Sequence, residues 1–507
     1  MTGRAARPVV MAVDLGTSAI KVALLDDRLN VVARSTISQV VVSDRSGRRE
    51  HRVAVMLART RTAMRRVLAT GPHELQAISV SGPRGSFAIA DQRGGTRTEI
   101  ITWQDTRAAA DAASDAVAAG PAYAAITGTG FDPSVVLPKL VWLRREHPEL
   151  SAGDWRLVTP QAIILAEFGA SSFIIDSTVA AHTGLLDVRR RAWSPELMDA
   201  YHVPVRVLPS LVDPGAVVGY SSERARERWG IPAGTPLVAA GSDGVCSELG
   251  AGVVDLRQVY AYLGTASAIA GPVAIDAPRP DESLILMPGS GPDRLRLLGL
   301  GKAGGSAADW WRRVIGVRGF ARFERLVESS DPGAGGVNFL PTLAGATAPV
   351  PDGRARGAFV GLALASSRED LARAVLEGVA VELRWLCAAM HLHPAPAEIR
   401  LTGGAARSNA WSQILADVFH VPIARVNDPD PGLRGAGAYA WAGVTRVSAA
   451  ALARAREPGY DRFEPRRQFE DVYVDLADRY GAARRAFERA GLDERLNRPA
   501  SSPQVLT

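Results

Sequence analysis

The sequence predicts an α/β protein built from two related lobes, and two observations carry this prediction. The first is a repeat, because residues 11–26, which read MAVDLGTSAIKVALLD, are echoed at residues 259–274 by VYAYLGTASAIAGPVA. The second is an alternation of strand-like apolar runs with helical stretches in the first half of the chain. With 507 residues, the chain also exceeds what one hydrophobic core usually supports.

The alternating elements can be placed along the chain. Strand-like runs lie at residues 31–42, 77–80 and 87–90, and helical stretches lie at residues 53–69 and 107–119. In the second half, apolar residues between Leu371 and Met390 recur at helical spacing and predict one long core-facing helix. Gly378 lies inside this helix, where glycine lowers helix stability, so we expect a neighbouring element to pack closely against it.

The repeat also predicts where the chain divides. We expect the first lobe at residues 1–250 and the second at residues 251–507, with an interdomain cleft between them. The charged amphipathic pattern of residues 462–490 predicts a helix that caps the second lobe. The polar residues from 497 onward are expected to be disordered.

Composition and charge exclude several classes of partner. The net charge is only +6 and no dense basic run is interleaved with aromatic residues, so we expect no nucleic acid partner. The two cysteines, Cys246 and Cys387, are too few for a disulfide framework or a thiolate metal site. Because no signal-like region and no long apolar span is found, we expect a cytoplasmic protein without a membrane partner, and a homodimer stays open.

Each copy of the repeat predicts a hairpin, because Leu-Gly-Thr stands between two short apolar runs. Gly16 and Gly264 have no Cβ, so backbone amides there can approach a polyphosphate closely. The hydroxyls of Thr17, Ser18 and Thr265 can donate further hydrogen bonds. For either copy alone an ordinary hairpin is the better interpretation, but the pair indicates a clamp that holds a nucleotide phosphate from two sides.

Two acidic residues stand at positions where a carboxylate needs an explanation. Asp14 ends the first apolar strand, where the charge is costly unless it is solvated or near a metal, and the second copy has Tyr262 there. Asp243 lies in a glycine-flanked turn after an apolar strand, within PLVAAGSDGVCSELGAG. It could accept a proton from a substrate hydroxyl during phosphoryl transfer, and the alternative is an Asx turn or a helix cap.

The number, order and spacing of motifs resemble the FGGY carbohydrate kinases over nearly the whole chain, with xylulokinases nearest and glycerol kinase more distant. The resemblance implies the duplicated, ribonuclease H-like ATPase fold of actin and the heat-shock chaperone ATPases. In chain order the motifs are DLGTS from Asp14, WQDTR from Trp103, KLVWL from Lys139, GSDG from Gly241, LGTAS from Leu263, AGGSAADWW from Ala303, FLPTLAG from Phe339, ARGAFVGL from Ala355, RAVLEGVA from Arg373 and LTGGAARSNAWSQILADV from Leu401.

The resemblance also implies site residues, with ATP and Mg²⁺ as the expected cofactors. Asp243 is similar to the family's catalytic base, and Asp14 to the acid that helps to hold magnesium, through water. A helix start with Ser408 as its cap is the compatible alternative for the glycine-rich turn near residue 404. The residues that the resemblance places against ATP are Gly16, Thr17, Ser18, Gly264, Thr265, Gly305, Gly403, Gly404 and Ser408.

The expected sugar pocket departs from the pattern of xylulokinases. Arg84 and Gly85, within SGPRGS, stand where xylulokinases carry a Met-His pair, and Gly244 stands where many of them have Asn. Arginine presents a fork of donors suited to several hydroxyls or to a carboxylate. Trp103 either forms an apolar wall for the sugar or packs in the core. The expected substrate is a small sugar, first a ketose such as a pentulose, with a polyol or a sugar acid as alternatives.

These observations together predict an enzyme that transfers the γ-phosphate of ATP to a sugar hydroxyl, with Asp243 as general base. Two other classes compete with this interpretation. A chaperone-like or filament-forming ATPase on the same fold would need an additional peptide-binding domain or polymer contacts. A sugar sensor that has lost its activity would bind the sugar without turning over ATP.

Overall fold

The computed structural model describes residues 6–152, 154–170, 173–279, 281–349 and 351–490. The strands are β1 (Arg7–Leu15), β2 (Ala19–Leu25), β3 (Val31–Ser38), β4 (Val42–Ser43), β5 (Arg49–His51), β6 (His73–Gly82), β7 (Ala88–Asp91), β8 (Ile100–Ile101), β9 (Trp155–Val158), β10 (Ile174–Asp176), β11 (Leu186–Asp187), β12 (Ala192–Trp193), β13 (Ser210–Val212), β14 (Val217–Tyr220), β15 (Pro236–Ser242), β16 (Gln258–Leu263), β17 (Ser267–Ala274), β18 (Ile285–Pro288), β19 (Arg294–Gly301), β20 (Asn338–Leu340), β21 (Ala358–Val360), β22 (Glu398–Thr402), β23 (Ile423–Val426) and β24 (Tyr460–Phe463).

The α-helices are α1 (Val53–Leu68), α2 (Ala109–Thr127), α3 (Val136–Glu146), α4 (Pro160–Phe168), α5 (Ser177–Ala180), α6 (Pro195–Ala200), α7 (Glu223–Trp229), α8 (Asp243–Gly250), α9 (Gly305–Val314), α10 (Phe320–Glu328), α11 (Arg368–Ala389), α12 (Asn409–Phe419), α13 (Pro431–Val444), α14 (Ala449–Ala455) and α15 (Glu470–Ala490). No helix in the described part of the chain is both long and apolar enough to cross a lipid bilayer.

Two large sheets share one topology, which confirms the predicted duplication. The first has the order β14-β15-β6-β1-β2-β3, and the second has the order β18-β19-β17-β16-β22-β23-β24. In the first, β1 pairs antiparallel with β2, β2 with β3, and parallel β6 and β15 follow on the other side of β1. In the second, β16, β17 and β19 are antiparallel, and parallel β22 and β23 lie on the other side of β16. The α/β prediction of two related lobes is therefore correct.

Helices cover both faces of the first sheet, which explains why its central strand is continuously apolar. Residues Val9, Met11 and Val13 of β1 pack into one core with α1, while Val10 and Ala12 pack into another with α8, α13 and α14. Alternate residues of a strand point to opposite faces, so both sets must be buried.

The helices α8 and α13 cross in very close contact behind the first sheet. A Cβ on Gly250 would lie 1.8 Å from the carbonyl oxygen of Pro431, and a Cβ on Gly435 would lie 1.9 Å from that of Cys246. Glycine permits this approach because its backbone carries no side chain. Thus α13, although it follows a strand of the second sheet, packs on β1, β6 and β15 of the first. The division after residue 250 stays a prediction.

Local predictions agree with the structure in most places and differ in one. The long apolar pattern is helix α11, and a Cβ on Gly378 would lie 2.2 Å from the carbonyl oxygen of Phe339, which explains this glycine. The carboxyl-terminal helix is shorter than predicted, because Arg462 lies in strand β24 and α15 begins at Glu470. Residues 460–463 form the edge strand β24 of the second sheet, where they pair with β23. The predicted disorder from residue 497 lies outside the described residues.

Candidate active site

A cavity of about 870 Å³ opens beside the second hairpin. Its walls come from the bend after β16, the start of α9, helix α10 and the turn after β22. Of the predicted nucleotide contacts it contains Gly264, Thr265, Gly305, Gly404 and Ser408. These residues are far apart in the sequence, so only the fold brings them together.

Glycine backbone forms much of the inner wall of this cavity. The amide of Gly305 donates to the carbonyl of Gly264 at 2.6 Å, and a Cβ on Gly305 would lie 2.8 Å from the same oxygen. Ser408 is engaged locally, because its hydroxyl accepts from the amide of Trp411 at 3.0 Å and donates to Glu324 Oε1 at 2.5 Å. Ser408 is therefore the cap of α12, and its contact with a nucleotide stays a prediction.

A second cavity of about 500 Å³ adjoins the first, since Tyr262, Gly404 and Arg407 line both. It contains Gly403 from the second sheet and Asp14 from the first, so both halves of the chain contribute to it. At Gly403 φ is +107° and a Cβ would lie 2.4 Å from the carbonyl oxygen of Leu263, which requires glycine. The two lobes therefore meet at this second cavity, as the predicted cleft requires.

Asp14 is only 8% exposed, and its carboxylate lies among other charges. Burial raises its pKa to about 6, the neighbouring charge of Asp243 contributes, and Lys21 and a hydrogen bond from Ser81 oppose the shift. Ser81 Oγ lies 3.3 Å from Asp14 Oδ1. A buried carboxylate with a raised pKa is stabilised by a cation, so the residue suits a bound metal.

Asp14 does not belong to a cluster of potential side-chain metal ligands in the described part of the chain. Among the described residues, no group of three or more His, Cys, Asp or Glu could hold an ion. Mg²⁺ commonly keeps several waters and uses one or two carboxylates together with substrate phosphates. One carboxylate beside a phosphate-sized cavity fits that mode of binding, and the role of Asp14 stays a prediction.

Replacing Asp14 with Asn should stabilise the protein in the absence of nucleotide. The native pKa of about 6 exceeds the ordinary aspartate value of 3.8, so the folded state holds the proton more tightly than the unfolded state. The charged side chain thus costs up to about 3 kcal/mol of unfolding free energy above pH ~6, and this cost disappears below pH ~4. Denaturation curves from pH 4 to 8 should show the advantage of Asp14→Asn growing with pH.

The matched control is Asp27→Asn, which makes the same substitution at an exposed site of the same lobe. Its stability should follow that of the unsubstituted protein across the pH range. If the Asp14→Asn protein were less stable than the unsubstituted chain at pH 8, the conclusion that the charge of Asp14 destabilises the fold would be wrong.

Asp243 is the first residue of α8 and follows the buried strand β15. Its Oδ1 accepts from the amide of Gly244 at 2.7 Å, and the residue is half-buried. Burial raises its pKa, while Arg84, the Gly244 amide, Arg296 and Lys21 act in the opposite direction. The charge of Asp243 also helps to raise the pKa of Asp14, so Asp14, Asp243 and Arg84 are near enough for their charges to act on one another.

The turn before Asp243 is held by a buried hydrogen-bond chain. Thr178 Oγ1 accepts from the amide of Ser242 at 2.8 Å and donates to Asp176 Oδ1 at 2.5 Å. Gly241, with φ of +103°, makes the bend that precedes this contact. These contacts hold the backbone before Asp243 in a defined position, as a catalytic side chain requires.

The first bend, at residues 16–18, has different neighbours from the second bend, which lines the larger cavity. Gln39 closes this bend, because its side chain donates to the carbonyl of Gly16 at 3.0 Å and its amide to that of Ser18 at 2.7 Å. Thr17 Oγ1 accepts from Trp103 Nε1 at 3.1 Å. Gly16, Thr17 and Ser18 line neither of the two large cavities. Their contacts with ATP stay predictions.

Trp103, Arg84 and Gly85 lie together at the predicted sugar side. Trp103 is 41% exposed, so the core-packing alternative is wrong for this residue. Gly85 has φ of +69°, and a Cβ there would lie 2.3 Å from the carbonyl oxygen of Ser134 and 3.2 Å from Trp103 Cβ. Arg84 is half-buried rather than on the surface, and its Nη1 contacts Met287 Sδ at 2.9 Å.

Sequence reasoning missed several charged residues of the cleft. Lys21 pairs with Asp430 at 2.9 Å and lies directly opposite Asp14 in the β1–β2 register. That register follows from the position of the bend, so the sequence carried a signal for Lys21. Arg296 and Glu248 carry no local motif and lie on different elements, and only their packing reveals them.

The fold and the site define a class of protein: a two-lobed phosphotransferase with a glycine-lined cavity that adjoins a second cavity at the buried Asp14. Comparison with known proteins identifies the family. The family model of the N-terminal domain of the FGGY family of carbohydrate kinases matches residues 9–250, and that of the C-terminal domain matches residues 292–443. The chain therefore belongs to the FGGY family of carbohydrate kinases and is an ATP-dependent sugar kinase.

Individual relatives carry two different substrate names. A xylulose kinase of Escherichia coli K12 is 29% identical over 413 residues, covering 80% of this chain and 84% of the relative. A gluconokinase of Bacillus licheniformis is 26% identical over 431 residues, covering 82% and 83%. Both names therefore occur among relatives of similar coverage.

Solved structures show the same division. A gluconate kinase and a ligand-bound xylulose kinase from Lactobacillus acidophilus superpose with TM-scores of 0.89 and 0.88. Each is 24% identical and covers 95% of this chain and 98% of its own. This similarity shows the fold, and it is equally strong for both names.

Proposed function

We propose that this kinase phosphorylates a small sugar by using Asp243 as the general base. The hydroxyl proton passes to the Asp243 carboxylate as the sugar oxygen bonds to the γ-phosphorus, and the bond from that phosphorus to the bridging oxygen of ADP breaks. One observation carries the assignment: Asp243 begins α8 directly after the buried strand β15, and its charge acts on the pKa of Asp14 while that of Arg84 acts on its own. A proton acceptor must lie near both the phosphate and the sugar, and Asp243 is the carboxylate that fits this requirement.

On the nucleotide side, we assign the larger cavity to ATP. Its walls at Gly264, Gly305 and Gly404 offer backbone rather than side chains, which allows close approach of a phosphate chain. The amides of Gly305 and Ser306 at the start of α9 donate to the carbonyls of Gly264 and Thr265, so this helix start holds the second bend in place and contributes the positive end of its dipole.

Magnesium is the expected companion of ATP, with Asp14 holding it through water. When bound, the ion offsets negative charge on the phosphate oxygens. Lys21, opposite Asp14 in the hairpin, adds a positive charge near the same carboxylate. A cytoplasmic location also belongs to this proposal, and a homodimer stays open.

On the sugar side, we place Arg84, Gly85 and Trp103. The xylulose kinases among the relatives favour a ketose such as a pentulose. The second candidate is a sugar acid, as in the gluconokinases, and Arg84 favours it because a guanidinium suits a carboxylate. A polyol is the remaining alternative.

The direct test is ADP release measured with magnesium and ATP against a panel of ketoses, polyols and sugar acids. We expect release that depends on one class of sugar and on magnesium. Sugar binding without ADP release would contradict the kinase assignment and support the sensor. ADP release that no sugar stimulates would point to an ATPase of another kind.

A further inference from the structure

Two arginines from different halves of the chain lie side by side near Asp243. Arg84 follows strand β6, and its Nη1 contacts Met287 Sδ at 2.9 Å. Met287 on β18 is the direct antiparallel partner of Arg296 on β19. Directly opposed residues of an antiparallel pair project from the same face of the sheet. Met287 therefore brings Arg84 next to Arg296. The positive charge of Arg296 accordingly lowers the pKa of Arg84.

The Arg296 guanidinium is only partly matched by protein groups. Arg296 is 3% exposed, and its Nη2 pairs with Glu248 Oε1 at 2.6 Å. Its Nε and Nη1 are buried and have no hydrogen-bond partner among the described residues. Buried donors without acceptors are costly, so such groups point to a missing partner.

The Arg84 guanidinium has an even weaker hydrogen-bond partner. The hydrogen bond that it makes goes to a thioether sulfur, which is a weak acceptor. Burial and the nearby charge of Arg296 lower the pKa of Arg84 to about 10, although Asp243 and Glu248 oppose this shift. Two adjacent positive groups with spare donors thus lie near Asp243.

Gly244 provides the space into which Arg296 reaches. A Cβ on Gly244 would lie 3.3 Å from Arg296 Nη1. Gly244 follows Asp243 directly in the first turn of α8, so the Arg296 guanidinium reaches the start of the helix that carries the proposed base. Arg296 therefore takes the place that a longer residue at position 244 would occupy, and it reaches that place from the second sheet.

We infer that Arg84 and Arg296 together bind the carboxylate of an acidic sugar substrate, an open-chain aldonate whose hydroxyl is presented to Asp243. This inference rests on the proposed function, because it names the substrate class of the same site. A carboxylate accepts several charge-assisted hydrogen bonds from guanidinium groups, and these are about twice as strong as neutral ones. A neutral sugar would leave the two charges without an added counter-charge.

The charges during the reaction support the same conclusion. Before transfer, Arg84 and Arg296 face two carboxylates, Asp243 and Glu248. When Asp243 accepts the proton it becomes neutral, and the two guanidiniums then face Glu248 alone. A bound substrate carboxylate keeps two negative groups opposite the two guanidiniums after the proton has moved, which avoids an uncompensated buried charge.

Matched ligands give the sharpest test. D-gluconate and D-glucitol differ in one terminal group, as do D-xylonate and xylitol, and D-xylulose represents the ketoses. We expect the best aldonate to exceed its alditol in kcat/KM by about 100-fold, the factor expected for a charged hydrogen-bonded contact. An alditol or D-xylulose that equals or exceeds every aldonate would overturn the inference.

Variants separate the two arginines from the rest of the site. Arg84→Met and Gly244→Asn should each reduce the aldonate preference at least tenfold, while ATP-analogue affinity changes little. Arg296→Lys keeps the positive charge opposite Glu248, so folding is preserved. It should lower the preference for aldonates, because lysine lacks the planar set of guanidinium donors. The control is Arg190→Met, at a side chain that is 82% exposed, and it should leave the preference unchanged. An unchanged preference in all three pocket variants would remove the pair from the substrate site.

Calorimetric titration of each ligand separates this inference from the proposed function. Tighter binding of an aldonate than of its alditol, without ADP release, supports the carboxylate site and contradicts the kinase role of Asp243. ADP release with neutral sugars and no preference for aldonates supports the kinase role and rejects the carboxylate site.

Discussion

Asp243→Asn is expected to lower kcat by about 10²–10⁴-fold, the usual contribution of a general base. The amide has the shape of the carboxylate and can still accept from the Gly244 amide through its oxygen, so the start of α8 should be unchanged. It cannot accept the sugar proton at neutral pH. Because burial raises the pKa of Asp243, removal of its charge should not destabilise the fold. Steady-state ADP release and calorimetric binding of an ATP analogue measure the two effects separately.

The nucleotide cavity is lined by other residues, so affinity for the ATP analogue should stay within about twofold. The matched control is Asp475→Asn, at a side chain that is 64% exposed on α15, and it should leave kcat unchanged. If Asp243→Asn retained more than a tenth of the original kcat, the assignment of the base would be wrong. If it lost ATP affinity instead, Asp243 would belong to the nucleotide site.

Gly435→Ala is expected to cause a large loss of stability. Its Cβ would lie 1.9 Å from the carbonyl oxygen of Cys246, where the neighbour is helix backbone and cannot rotate away. Helices α8 and α13 would have to separate, and overpacking of this kind costs about 3 kcal/mol or more. Chemical denaturation and the melting temperature should both report the loss.

The same substitution should also reduce activity in the fraction that stays folded. Asp243 begins α8, so a shift of α8 away from α13 moves the proposed base relative to the sugar hydroxyl. A displacement of about 1 Å in a catalytic group can cost 10²-fold in rate. Gly250→Ala, on the other side of the same crossing, should act in the same direction because its Cβ would meet the Pro431 carbonyl oxygen.

Gly481→Ala is the matched control for the helix crossing. It adds a methyl group to a glycine inside α15, where the nearest atoms belong to the flexible end of the Arg485 side chain, 3.1 Å away. Alanine favours a helix over glycine by up to ~1 kcal/mol, so stability should be unchanged or slightly higher. Equal stability of the Gly435→Ala and Gly481→Ala proteins would show that the crossing tolerates a Cβ and that the close contact is not required.

The local sequence determined the hairpins, the general fold class and the candidate acids. A bend with Leu-Gly-Thr between apolar runs can form only a few structures, so strands β1, β2, β16 and β17 followed directly from pattern. The position of Gly378 likewise predicted a close neighbour, because glycine inside a helix is unfavourable without one. The same reasoning extended α15 too far, since periodicity does not reveal that residues 460–463 pair with a sheet edge.

Only the tertiary structure decided which distant residues share the pocket. Arg296 and Arg84 are more than two hundred positions apart, and neither the spacing nor the charge of Arg296 sets it apart from the chain's many other arginines. The antiparallel pairing of β18 with β19 and the reach of Arg84 to Met287 bring them together. Likewise, α13 packs on the first sheet although it follows the second. Local backbone preference acts over a few residues, whereas the charge around Asp243 depends on elements from both halves.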